Sequence, residues 1–318
     1  MLSLADVERA RETIAGRVHR TPLLRSGTLS EQLRIDARFK AELFQRTGSF
    51  KVRGALTRLA QLGDDEKRRG VISISAGNHA QAVAWAAREA GVDALIVMWQ
   101  GADELKIAAT RGYGAAVDQE ATDPASAFAR LDELIDQTGR VLVHPFNDPA
   151  VLAGQGTVAL EVLEDVPEPD VVLVPVGGGG LVSGIAVALE ARRPGVRVIA
   201  VEPELSPALH EGLAASASVP VVPRSAADAL NAPFAGAHCI EICRELGVES
   251  VLVSEEDLVA AFRWLYVRMK LACELGAGAS TAALLSGKVA VEPGQTVVVV
   301  VSGGNVAPRQ AAAILARP

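Results

Sequence analysis

Aromatic side chains are scarce in this chain: seven Phe, three Trp and two Tyr make up 4 % of its 318 residues. Its core must therefore come mainly from Ala, Val, Leu and Ile. Cysteine is scarcer still, with only Cys239, Cys243 and Cys273. Three thiols cannot all pair within one chain, and so few in so long a chain exclude a disulfide scaffold and suit a reducing, cytoplasmic setting. An excess of basic charge is missing as well. Lys plus Arg number 31 against 38 for Asp plus Glu, a net −7, which is the wrong sign for gripping a phosphate backbone and argues against nucleic acid as a partner. A membrane segment is also lacking. The most apolar runs, 171–176 and 296–301, stop far short of the ~20 residues that a spanning helix requires. The start Met1-Leu2-Ser3-Leu4-Ala5-Asp6 lacks the basic-then-apolar order of a secretory leader.

What is present is the balance of a globular protein, 49 % hydrophobic and 22 % charged, and at ~150 residues per domain the length suggests two domains. β-branched runs at 71–74, 94–98, 115–117, 141–143, 171–176, 196–201, 251–253 and 296–301 alternate with helical stretches at 79–90, 103–111, 124–138, 181–191 and 255–275. Apolar runs without internal alternation, separated by helices, are the pattern of parallel strands buried on both faces. The expected class is α/β, with ligands held beyond the carboxyl ends of the strands. Cys239 and Cys243, four apart beside His238, read as one apolar face of a helix and not as a metal site, since no second ligand pair appears.

Glycine is plentiful, 29 residues, and clustered. Gly177-Gly178-Gly179-Gly180 follows the run 171–176 and opens a helical stretch, so bare N–H groups at a helix N-terminus form an anion site suited to phosphate. Glu202, at the end of the next strand, keeps a nicotinamide dinucleotide reading open. Thr47-Gly48-Ser49-Phe50-Lys51-Val52-Arg53-Gly54-Ala55 places Lys51 in the first turn of a helix for which Ser49 is the candidate cap. There the helix dipole should lower the amine's pKa and help it act as nucleophile or base. Ser75-Ala76-Gly77-Asn78-His79 is a donor-rich turn at a strand's carboxyl end, fit to hold a carboxylate, and Ser302-Gly303-Gly304-Asn305 is a third such turn. Several such turns and one lysine, all at strand ends, point to a site more strongly than any one of them.

Six ordered motifs resemble the serine/threonine dehydratase family, the pyridoxal-phosphate enzymes of the tryptophan-synthase-β-like fold that include threonine ammonia-lyases and serine racemases. They are Ser49–Ala55, Ser75–Gln81, His144-Pro145-Phe146, Ala153–Thr157, Gly177–Leu181 and Ser302–Asn305, and Arg20-Thr21-Pro22-Leu23 is similar to the family's opening. The resemblance spans nearly the whole chain. It implies two open, twisted, mostly parallel sheets flanked by helices, with the cofactor in an interdomain cleft. Residues 1–65 and 147–318 would form a large domain and 66–146 a smaller inserted one, with no C-terminal regulatory domain. Lys51 would carry pyridoxal phosphate as a Schiff base and move the substrate's Cα proton. Phe50 would lie against the ring, Asn78 would meet its hydroxyl, Gly177, Gly178, Gly179, Gly180 and Leu181 would bind the phosphate, and Ser302 would face the pyridine nitrogen. A neutral serine there favours prompt β-elimination. Ser75, Ala76, Gly77 and His79 would frame the substrate carboxylate, Glu274 would stand near the ring, and the enzyme would be a homodimer.

Some positions depart from the family's pattern. Ala76 stands where racemases carry a serine, which favours dehydration over racemisation. Glu202 matches a metal ligand, but Ala208 replaces the aspartate expected six residues on, so a divalent ion is disfavoured and a monovalent cation on backbone carbonyls is the alternative. Asp228-Ala229 replaces Asp-Gly, and the residues after Glu274 differ. The expected activity is α,β-elimination of L-threonine or L-serine to a 2-oxo acid and ammonia. The rivals are another β-hydroxy amino acid such as 3-hydroxyaspartate, serine racemisation, β-replacement, a nicotinamide oxidoreductase and a non-catalytic binding module.

Overall fold

A computed structural model describes residues 2–316; Met1, Arg317 and Pro318, and with them the end of the span assigned to the large domain, lie outside the described residues. Among the described residues ten strands are present: β1 Leu23–Arg25, β2 Asp36–Ala41, β3 Val71–Ile74, β4 Ala94–Trp99, β5 Ala116–Ala121, β6 Val141–Leu142, β7 Val171–Pro175, β8 Arg197–Pro203, β9 Glu249–Val253 and β10 Thr296–Val301. They form two sheets, ordered β1-β2-β10-β7-β8-β9 and β5-β4-β3-β6. Every pairing is parallel except β1 with β2.

The central strands of the larger sheet explain their own position. β7 (VVLVP) and five of the six residues of β10 (TVVVVV) are buried, and β-branched side chains suit a sheet covered on both faces. One layer packs Phe39, Leu173, Ile199, Phe262 and Val299 together, and the other packs Val172, Val174, Leu181, Ile185 and Val298. A third cluster joins Val71, Ala82, Val83 and Ile96 of the smaller sheet's surroundings to Val52, Ala55 and Leu56. The helix Lys51–Ala60 thus buries one face in that cluster and stands between the two sheets.

The structure adds helices beyond the expected spans, Leu4–Ile14 and Pro149–Asp165 among them, and three further departures have a visible cause. β1 and β2 were not foreseen, because DARFKA alternates charge with apolar residues at the end of the larger sheet. The helix expected over 255–275 ends at Trp264, continues as a π turn over Leu265–Met269, and breaks at Lys270, whose φ is +59°. The break carries residues 271–274 back toward β10, where Glu274 N–H donates to Gly303 O at 3.1 Å. The third is the cap of the helix Lys51–Ala60. Ser49 does not cap it: Phe50 is the cap residue and makes no side-chain cap bond, and the Ser49 hydroxyl is buried without a partner. Ser254 does cap the helix Glu255–Trp264, in a reciprocal box with Asp257.

Candidate active site

Three sets of contacts fix the start of the helix that carries Lys51. The preceding backbone is bonded to the loop after β10, through Phe50 N–H to Ser302 O (3.3 Å) and Gly304 N–H to Gly48 O (2.9 Å). The helix also crosses the helix Pro149–Asp165 at glycine: a Cβ on Gly154 would lie 2.6 Å from Arg53 O, and one on Gly54 would lie 2.7 Å from Val151 O. The segment 153–157 therefore serves close helix packing. Third, the fully buried Arg53 donates to both oxygens of Glu42 (2.8 and 2.8 Å) and both of Glu161 (2.7 and 3.0 Å). Lys40, also buried, adds bonds to Glu161 (2.5 Å) and Thr21 O (2.7 Å). Two cations thus meet two carboxylates whose four oxygens all accept.

Lys51 Nζ donates to Pro145 O at 2.8 Å and lies 5.3 Å from the centre of the Phe50 ring. Burial pulls its pKa down to about 8, and nearby Cys239 and Glu274 offset only part of the effect. The direction matches the sequence expectation, and burial is its largest cause.

Two more helices begin beside this lysine without a side-chain cap, Asn78–Ala90 after Gly77 and Gly180–Arg192 after Gly179. The first N–H groups of a helix have no intrahelical acceptor, so each start presents bare donors. The second can turn so sharply because Gly179 adopts φ +96°. It can approach the opposite wall because a Cβ on Gly178 would fall 2.2 Å from the Phe146 ring.

Asn78 is held on both sides. Its Nδ2 donates to Glu274 Oε1 (2.6 Å), and its Oδ1 accepts from Asn305 Nδ2 (2.7 Å), which also donates to Thr47 O (2.7 Å). Burial and nearby Asp228 raise the Glu274 carboxyl to about 7, and its Oε2 has no partner. His79 Nε2 lies 3.0 Å from Val143 O. A carbonyl only accepts, so the proton sits on Nε2 and Nδ1, also unpartnered, is a bare acceptor. Burial and the Lys51 charge lower its pKa to about 3, keeping the ring neutral.

Phe50, Lys51, residues 75–79, residues 177–181, Glu274 and Ser302 all line one cavity of about 220 Å³. The structure thus brings together every site residue expected from sequence except Glu202. That carboxylate, on β8, accepts from Leu209 N–H (2.7 Å) and His210 N–H (2.8 Å) and caps the helix Ala208–Ala215, while burial pushes its pKa up to about 8. Among the described residues, no group of three His, Cys, Asp or Glu is placed to hold a metal ion. Cys239 and Cys243 are buried on one helix with free thiols. Lys106 and Phe128 also line the cavity and carried no motif signal. Asn305 lay within a quoted motif, but its hold on Asn78 is visible only in three dimensions.

The sequence profile of the pyridoxal-phosphate-dependent enzymes matches residues 14–303. The chain belongs to that family. It is 42 % identical over 307 residues to an L-threonine ammonia-lyase of Thermotoga maritima, covering 96 % of this chain and 76 % of that one. A catabolic L-threonine dehydratase of Escherichia coli is 40 % identical, covering 96 % and 93 %. The solved structure of maize serine racemase superposes with a TM-score of 0.92 at 34 % identity, covering 97 % and 95 %.

The residues present fit pyridoxal phosphate. One cavity is lined by the glycine run 177–180 at an uncapped helix start, by the Lys51 amine, and by His79 and Glu274, whose Nδ1 and Oε2 have no partner. No helix among the described residues is long and apolar enough to cross a membrane.

Proposed function

We propose that this enzyme is an ammonia-lyase that converts L-threonine, L-serine or both to the 2-oxo acid and ammonia. The observation that carries the reading is the convergence of three uncapped helix starts on one lysine whose amine is held near neutrality by burial. The roughly 40 % identity to threonine ammonia-lyases selects elimination among the reactions that the family catalyses.

When bound, pyridoxal phosphate supplies the electron sink that acidifies the substrate's Cα–H. The amides of residues 177–181, at the start of the helix Gly180–Arg192, would hold its phosphate. Phe50 would lie against its ring, and Asn78, fixed by Glu274 and Asn305, would meet the ring hydroxyl. Ser302 would offer the pyridine nitrogen a neutral partner. Ser75, Gly77 and the bare amides of Asn78 and His79 orient the substrate carboxylate. Lys51 Nζ then takes the Cα proton. The Cα–H and Cβ–O bonds break, hydroxide leaves as water, and hydrolysis of the freed enamine returns one water and releases ammonia. Ala76 brings no proton donor to the substrate, so return of a proton from a second face is disfavoured.

We also infer that residues 66–146, which hold all four strands of the smaller sheet, act as a smaller domain inserted into residues 1–65 and 147–318. We read the enzyme as a cytoplasmic homodimer, on its sparse free thiols and on the prevalence of symmetric pairs. A monovalent cation on backbone carbonyls near Glu202 remains our reading of that region, since both Glu202 oxygens already accept N–H groups.

The test is a panel of amino acids assayed for 2-oxo acid and ammonia. The expected result is equimolar release of both from L-threonine or L-serine. D-serine accumulating at a comparable rate would replace elimination with racemisation.

A further inference from the structure

The cavity wall carries one charged contact that none of these roles uses. Lys106, on the helix Glu104–Gly112 after β4 of the smaller sheet, places Nζ 2.5 Å from Asp228 Oδ2. Asp228 opens the short turn Asp228–Leu230, which belongs to the larger sheet's side. The pair therefore joins the two halves of the cavity. The Lys106 side chain is only 11 % exposed, whereas that of Asp228 is 53 % exposed. Burial works against the Lys106 charge, but Asp228 more than restores it, with smaller help from Glu274 and Asp103.

Among the residues lining the cavity, Lys51 and Lys106 are the only Lys or Arg, and Asp228 and Glu274 the only Asp or Glu. Lys51 is committed to the chemistry, and the bare amides receive the substrate's α-carboxylate. A second carboxylate on the substrate would thus have Lys106 alone to pair with, and that ammonium is already neutralised. It would also meet the charge of Asp228 and, above neutral pH, that of Glu274.

We propose that the Lys106–Asp228 pair determines specificity: it admits β-hydroxy amino acids with neutral side chains and rejects those with an acidic one. The mechanism is exclusion by like charge and by occupation of the one available cation. The proposal rests on the lyase reading for its substrate class. Its binding arm does not depend on turnover.

The experiment compares the holoenzyme with Asp228→Asn, Lys106→Gln and the double variant. Asn keeps the size of Asp228 at a half-exposed position and frees the ammonium. Two quantities are read: kcat/KM for L-threonine and for 3-hydroxyaspartate, and the affinity of succinate from its perturbation of the cofactor's visible band. In Asp228→Asn the ratio of kcat/KM for 3-hydroxyaspartate over threonine should rise about tenfold or more, and succinate should bind more tightly by a similar factor. Lys106→Gln should show neither gain, and adding it to Asp228→Asn should cancel both. Equal changes toward both substrates with unchanged succinate affinity would overturn the proposal and leave the pair a structural strap. A wild type that keeps its visible band yet turns over neither substrate would refute the lyase reading, while the succinate series would still decide the charge claim.

Discussion

The helices of this enzyme begin in two ways. Those at Leu4, Gly27, Glu104, Pro149 and Glu255 start on Ser3, Ser26, Asp103, Asp148 and Ser254, and each of these side chains accepts an N–H of the first turn. Eight others start on a residue whose side chain accepts none: those at Lys51, Asn78 and Gly180 meet at the cavity, those at Asp64, Ala237, Ala279 and Pro308 begin off its lining, and that at Ala208 is capped by Glu202 from β8. A cap is worth ~1 kcal/mol, and although caps are missing elsewhere too, only at the cavity do three such starts fall together where a ligand can satisfy their free donors. The unpartnered Ser49, His79 and Glu274 atoms lie at these starts or beside them. At these three starts the donors left without a cap are available to a ligand.

The uncapped helix of Lys51 is held by another means, and removing it should produce the largest change. Arg53→Met leaves Glu42 and Glu161 with only the Lys40 charge between them, and breaking a buried pair costs ~3–5 kcal/mol. Urea unfolding should show a midpoint shift of that size; a loss below 1 kcal/mol would mean that the lattice does not anchor the helix. Next in size is a cap added where one is missing. A Cβ on Gly77 would meet nothing within 4 Å, so Gly77→Asp has room to cap the helix Asn78–Ala90. It should raise KM for the amino acid by about tenfold or more, as its carboxylate takes the donors meant for the substrate's, with at most ~1 kcal/mol change in stability. Unchanged KM would break the assignment of that turn to the substrate carboxylate. The smallest effect belongs to a peripheral cap: Ser254→Ala should lose ~1 kcal/mol in thermal unfolding with kcat and KM unaltered. A kinetic change there would erase the distinction between the two kinds of start.

Much of this contrast could be read before the fold was known. The glycine turns, Lys51 and the cap at Ser254 lie in local order along the chain, and residue type and neighbours suffice to place them. What escaped was set by distant partners. Lys40 in β2 reads as a surface lysine until Glu161, 121 residues away, is beside it. Ser49 has the chemistry of a cap, but its backbone is tied to the loop after β10, and the helix begins one residue later than a cap there would place it. The turn at Lys270 depends on Leu271 N–H reaching Leu265 O, and no hydrophobic period announces it. The Lys106–Asp228 contact spans both sheets and has no sequence pattern at all.

The central claim is that the bare helix starts serve a cofactor attached to Lys51. The visible absorption spectrum tests it most directly. Wild-type enzyme given pyridoxal phosphate should be yellow, with a band that Lys51→Ala lacks at unchanged far-ultraviolet circular dichroism and with 2-oxo acid release reduced about 10³-fold or more. A Lys51→Ala protein that keeps both the band and the activity, or a folded wild type that never acquires the band, would contradict the account.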